Sequence, residues 1–252
     1  MAPPARLSPE RYLDHLAREA VRLREIGGRD LDAPVPTCPE WRAGDLLRHV
    51  ALVYQHKVET IRGGAWPEQW PPEQGSEGPV AHLERSLADL TAELSARAPD
   101  ETAVTWYDPD QTIGFWARRM ALETVVHRVD AELAQRVPIA PIPDDLAIDG
   151  IDEVLVTMLA FYTGKWPEDF GDRLTRDPRA VAIEAGPGRW TVRPAKTGVE
   201  VIADGPAAAS VAGRPQDVLL WSWRRASGDA LTFGGDRAPA DLLRELLGEV
   251  TT

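Results

Sequence analysis

The stretch I-G-F-W-A-R-R-M-A-L-E-T-V-V-H-R-V-D-A-E-L-A-Q, residues 113–135, decides the fold. Trp116, Met120, Glu123, His127 and Asp130 recur there at intervals of four, three, four and three, the spacing of one face of an α-helix. The pattern predicts a helix that stops before Pro138. Glu123 and His127 share their stripe with Trp116 and Met120. A carboxylate left unpaired among such groups is costly, and a metal ion or a histidine partner relieves the cost. The alternative is a surface pair, since i,i+4 combinations of this type arise by chance. His15 and Glu19 form a second such pair, read here as carrying no chemistry.

A second helix, predicted from about Ala43 to Ile61, carries His49 and buries Leu46, Val50, Val53 and Ile61. Two helices facing each other across a bundle core can aim His49, Glu123 and His127 at one point, which suits a divalent metal. For His49 alone, a partly buried imidazole satisfied by a backbone carbonyl is the competing reading. Two further helices complete a bundle. One starts at Ser8–Pro9, runs through Tyr12, Leu13, Leu16, Ala20 and Leu23, and ends at Gly27–Gly28. The other carries Leu83, Leu87, Leu90 and Leu94 and ends near Pro99. The connections are loop 35–41 (V-P-T-C-P-E-W), a Pro/Gly-rich loop over 64–79 with two tryptophans, and one containing Trp106–Pro109.

From about Pro141 the texture changes. A fifth helix is predicted to about Phe161, then short alternating segments at Val181–Glu184, Trp190–Pro194 and Val199–Ala203, with turns at Gly186–Gly188 and Thr197–Gly198. Asp217–Arg225 and Asp241–Leu247 read as helices and Leu231–Phe233 as a further strand. The expectation is an α+β chain of two domains: a four-helix bundle over residues 1–142, and a smaller domain over 143–252 with helices around an antiparallel sheet.

Composition narrows the function. The chain has 252 residues and a formal net charge of −12, the wrong sign for phosphate-driven nucleic-acid binding or for an anionic membrane surface. Its one cysteine, Cys38, excludes an intramolecular disulfide and a four-cysteine zinc site. The N-terminal M-A-P-P-A-R-L-S-P-E lacks the apolar core of a signal peptide, and no apolar run approaches membrane-spanning length. A cytoplasmic protein, monomeric or homodimeric, is expected.

V-P-T-C-P-E-W-R-A-G-D-L-L-R-H-V-A (35–51) and M-A-L-E-T-V-V-H-R-V-D-A-E (120–132) resemble signature segments of the mycothiol-dependent maleylpyruvate isomerase family. D-D-L-A-I-D-G-I-D-E-V-L (144–155) resembles the opening of that family's C-terminal domain. The resemblance spans nearly the whole chain in order. It implies a DinB-like metal-binding four-helix bundle followed by a small, sterol-carrier-like α/β domain. It also implies a divalent metal, usually zinc, on His49, Glu123 and His127, with mycothiol as cosubstrate. A late arginine in the stretch Trp221–Arg225 would hold the acidic substrate or the thiol, Arg225 ahead of Arg224. The implied activity is a thiol-dependent cis-trans isomerase or thiol S-transferase. Its thiolate adds to an activated double bond of a small acid or electrophile. A non-catalytic metal-binding module is the alternative.

The remaining polar residues take plainer readings. Asp45 could orient His49 as a carboxylate behind a ligand. Arg128 and Asp130 are expected to pair or cap, His56 to lie on a helix surface, and His15 and His82 to face solvent. Cys38 reads as a packed loop thiol, and Trp41, Trp66, Trp70, Trp106 and Trp116 as core or loop anchors that could also wall a pocket.

Overall fold

The computed structural model describes residues 6–72 and 75–251. Residues 1–5, on which the signal-peptide reading partly rests, and residues 73–74 of the 64–79 loop lie outside the described residues. The chain forms two compact units, one of Leu7–Ala140 and one that begins at Pro141 and also takes in Arg6.

The first unit holds four long helices: α1 (Pro9–Gly27), α2 (Ala43–Gly63), α3 (Pro79–Ala96) and α4 (Ile113–Ala134). Local chemistry sets their ends. The Ser8 side chain caps α1, accepting from the Arg11 amide, and Thr112 does the same for α4 through Phe115. Gly64, at φ +64°, closes α2 in the left-handed conformation that favours glycine. Asp45 also has a capping role: its carboxylate accepts from the Arg42 amide at 2.8 Å, so it serves the start of α2. α1 packs mainly on α4 and α2 mainly on α3. Tyr12, Leu16, Leu23, Leu46, Val50, Leu83, Leu90 and Leu94 fill the core between them.

The predicted exposure of His15 and His82 is wrong. His15 is fully buried, and His82 is buried with Nε2 3.2 Å from Gln55 Oε1. The spacing places both on inward-turned faces, where the apolar stripes leave room for a polar ring. The His15–Glu19 face belongs to a buried charge network between α1 and α4. Arg128 donates to Glu19 at 2.7 Å, to Glu132 at 2.6 Å and to the Ala140 carbonyl at 3.0 Å, and Arg22 donates to Glu132 from the rim.

The second unit opens with a long helical run: α5 (Asp144–Asp152), a π-helical segment (Glu153–Ala160) and α6 (Phe161–Lys165). After the short α7 (Arg173–Arg176) come strands β1 (Val181–Ala185), β2 (Gly188–Ala195), β3 (Gly198–Ile202) and β4 (Ala209–Gly213). Helix α8 (Pro215–Ser222), strand β5 (Thr232–Gly235) and helix α9 (Arg237–Val250) finish the chain. The sheet order is β3-β2-β1-β4-β5. The α+β class holds, but the sheet is mixed, because β1 and β4 are parallel. Ile202 pairs with Thr191, and Thr191 with Ala182, so β3 ends level with the start of β1. Residues 203–208 need only step sideways to enter β4 beside Val181. Sequence pattern missed β4 because A-S-V-A-G carries one large apolar residue. No helix among the described residues is long and apolar enough to cross a membrane.

Arg128→Met would strand Glu19 without its cation and leave Glu132 with Arg22 alone, at the rim. Removing one partner of a buried ionic network costs about 3–5 kcal/mol. Urea unfolding should show a loss of that order, whereas a change below about 1 kcal/mol, the scale of exposed pairs, would contradict the network's role.

Candidate metal centre

Three segments build the site. Loop 35–41 folds back on itself through Val35 N–H to the Trp41 carbonyl at 3.0 Å and Trp41 N–H to the Cys38 carbonyl at 2.8 Å. That fold sets Thr37 and Trp41 beside the helices that carry the donors. The Trp41 ring lies 4.7 Å from the His49 ring and 6.5 Å from that of His127. The two imidazoles stand edge to face, 5.0 Å apart.

His49 from α2 and Glu123 and His127 from α4 offer ligand atoms that all lie within 4.8 Å of one another. Glu123 Oε1 sits 3.1 Å from His127 Nε2 and 3.5 Å from His49 Nε2. Two imidazole nitrogens and a carboxylate oxygen form a donor set that suits zinc and related divalent ions, and three protein donors leave room for a further ligand. Among the described residues this is the one such group that could hold a metal.

Neighbours hold the donors in place. Asp130 Oδ2 lies 2.9 Å from His127 Nδ1, and the Thr37 hydroxyl donates to Asp130 Oδ1 at 2.6 Å. A histidine that donates Nδ1–H to a carboxylate keeps Nε2 as its ligand nitrogen. Arg119, one turn before Glu123, pairs with the other carboxylate oxygen. Asp130 thus takes the orienting role considered for Asp45. Arg119 and Thr37 escaped sequence reasoning. The signal for Arg119 was present, since it stands i,i+4 from Glu123, while Thr37 is brought in only by the loop.

The electrostatics match. Burial would raise the Glu123 pKa, but His127, Arg119 and His49 hold it well below the usual carboxylate range. Burial would lower the His127 pKa, but Glu123 and Asp130 raise it from 6.5 to about 9. Tyr54, whose hydroxyl meets Thr124, is pushed up by its burial and by the Glu123 charge.

Arg224 and Arg225 belong to the other compact unit. Arg224 follows the end of α8 with φ +59° and is exposed. Arg225 is half-buried, and its Nη1 donates to the Trp223 carbonyl at 2.8 Å.

Two family models match the chain: the mycothiol maleylpyruvate isomerase N-terminal domain over residues 13–132, and the C-terminal domain of the same family over residues 145–242. Among solved structures, the chain is similar to a crystal structure of the mycothiol-dependent maleylpyruvate isomerase. Identity is 16% and the TM-score 0.62, with 90% of this chain and 93% of that one covered. A histidine-to-alanine mutant of that isomerase matches over the same shares, with 14% identity and a TM-score of 0.62. At such identities the likeness establishes a shared fold. No curated protein sequence matches the chain.

Two measurements probe the centre. In metal-free protein the folded His127 pKa lies above its ordinary value, so the ion pair's stabilisation is complete below about pH 6.5 and fades as pH rises through about 9. The urea midpoint of metal-free protein should fall across that window, and a midpoint that rises there would contradict the pairing. Asp130→Asn should weaken zinc affinity about 10–100-fold in a competitive chelator titration, and unchanged affinity would contradict the orienting role.

Proposed function

The chain belongs to the mycothiol maleylpyruvate isomerase family, and on that premise we propose that it is a metal-dependent, mycothiol-dependent isomerase or S-transferase acting on a small electrophilic acid. The observation that carries this reading is the convergence of His49, Glu123 and His127, from two helices of the matched N-terminal domain, to within 4.8 Å. His49, Glu123 and His127 would hold the ion. Bound there, a divalent metal supplies the positive charge that lets a coordinated thiol ionise near neutral pH.

The chain's own residues prepare that chemistry. Asp130 fixes the His127 ring, so Nε2 is presented without a search over tautomers. Arg119 and the two histidines keep Glu123 ionised in a buried position. Trp41 lies against the His49 ring and near that of His127, an apolar neighbour that strengthens charge interactions on that side of the donors. Addition of the thiol to a cis double bond leaves a single bond free to rotate, and elimination then returns the thiol with the trans isomer. Without elimination the product is a thioether, the transferase outcome. Arg224 and Arg225 remain the candidates in the C-terminal unit for steadying carboxylates. Arg224 is the freer of the two, with no ion-pair partner among the described residues.

Zinc-loaded protein with mycothiol should convert maleylpyruvate to its trans isomer, followed by ultraviolet absorbance. His49→Ala should lose bound zinc and at least 100-fold in kcat/KM together, a transition-state loss of about 2.7 kcal/mol. Zinc-loaded protein that gives neither turnover nor heat on titration with mycothiol would support a non-catalytic metal-binding module instead.

A further inference from the structure

Two turns along α2 from His49 stands a cation that the metal site does not use. Lys57 is half-buried, and its ammonium lies 4.7 Å from the Trp116 ring and 5.9 Å from the Trp66 ring. Its hydrogen bond is to a neutral partner, with Nζ 3.1 Å from His56 Nδ1. Burial holds the His56 pKa near 4, so the ring is uncharged at neutral pH and its Nδ1 can accept. Among the described residues no carboxylate pairs with Lys57. Glu123, the acid whose charge acts on it, is already bonded to Arg119 and His127.

A half-buried cation with no carboxylate partner among the described residues gains when a ligand supplies an anion. Burial and the nearby Arg119 lower the Lys57 pKa to about 8 despite Glu123, so the ammonium stays charged at neutral pH yet gains from an added anion. The walls around it are aromatic. Loop 64–79 lays Trp66 and Trp70 on His56, with ring separations of 5.6 and 4.7 Å, and Trp66 meets Trp116 edge to face at 6.3 Å. His56, expected on a helix surface, is half-buried there with these rings beside it. A planar, unsaturated acid suits this surface: its carboxylate meets the half-buried ammonium, while its flat body lies on Trp66, the exposed indole of the group. Seven residues separate Trp116 from Glu123, about 10 Å along α4, and the Glu123 charge reaches Lys57. An acid anchored at Lys57 would therefore lie near the donor set.

We propose that Lys57, flanked by Trp66 and Trp116, is the anchor for a carboxylate of the acidic substrate and so a specificity determinant of this enzyme. The proposal rests on the isomerase reading for the identity of the acid. It places the carboxylate-binding cation in the same compact unit as the metal donors.

Isothermal titration of the full-length protein as purified with maleate, an unsaturated dicarboxylate, tests this. Wild type should give saturable heat, and Lys57→Met should raise the maleate Kd at least 10-fold while zinc content and mycothiol affinity stay at wild-type values. Lys57→Arg should recover part of the affinity, and Lys57→Gln, a polar replacement, should behave as Lys57→Met if the charge is what matters. In turnover, Lys57→Met should raise KM more than it lowers kcat. Wild type that gives no heat with maleate, or a Lys57→Met protein that binds it normally, would overturn the anchor. So would a Lys57→Met protein that loses mycothiol affinity and keeps maleate affinity. Zinc content of the same preparations reports separately on the metal reading: wild type without zinc that still binds maleate through Lys57 would sink that reading and leave the anchor standing.

Discussion

A carboxylate inside a helical bundle stays charged only when positive groups and hydrogen-bond donors surround it, and Glu123 is surrounded. Arg119 holds one oxygen, while His127 and His49 approach the other at 3.1 and 3.5 Å. Desolvation opposes the charge, and these partners outweigh it. The rest of the site follows from that constraint. The partners must be one turn away on the same helix or on a helix packed alongside, and that requirement fixes the register of α2 against α4. The polar chain then runs outward through His127 and Asp130 to Thr37, and ends in the loop that also places Trp41.

α4 carries two charge networks on neighbouring faces. One holds Arg119, Glu123, His127 and Asp130; the other joins Arg128 and Glu132 to Glu19 on α1. The i,i+4 spacing serves both, but the outcomes differ. In the second network an arginine sits between two carboxylates, and the charges are matched by hydrogen bonds. In the first, two imidazole nitrogens and a carboxylate oxygen converge with no arginine between them, and that arrangement offers lone pairs to a cation. Matching residue types therefore separate into a cluster closed by an arginine and one open to a cation, according to what lies at the centre.

The helices and the three converging residues were legible because their signals are local. Spacing set the stripes, and Ser8, Thr112 and the glycines after α1 and α2 marked ends. The stripe also identified Asp130 but not its task, because an i,i+3 carboxylate caps, pairs or orients depending on what faces it. His15 and His82 were misplaced for a related reason: a polar residue on an apolar face reads as exposed until the partner helix is in position. Thr37 could not be found from spacing, since a loop brings it across 93 residues to Asp130. Strand β4 gave too little alternation to register, and its parallel pairing depends on where β3 ends. The placing of Trp66 and Trp70 beside His56 is likewise a product of loop geometry, visible only in three dimensions.

X-ray absorption at the zinc edge tests the central claim most directly. The zinc-loaded protein should show scattering from two imidazoles and a carboxylate oxygen at about 2.0–2.2 Å, with one sulfur appearing near 2.3 Å when mycothiol is added. A zinc shell without imidazole scattering, or one that already contains the Cys38 sulfur before any thiol is added, would contradict it.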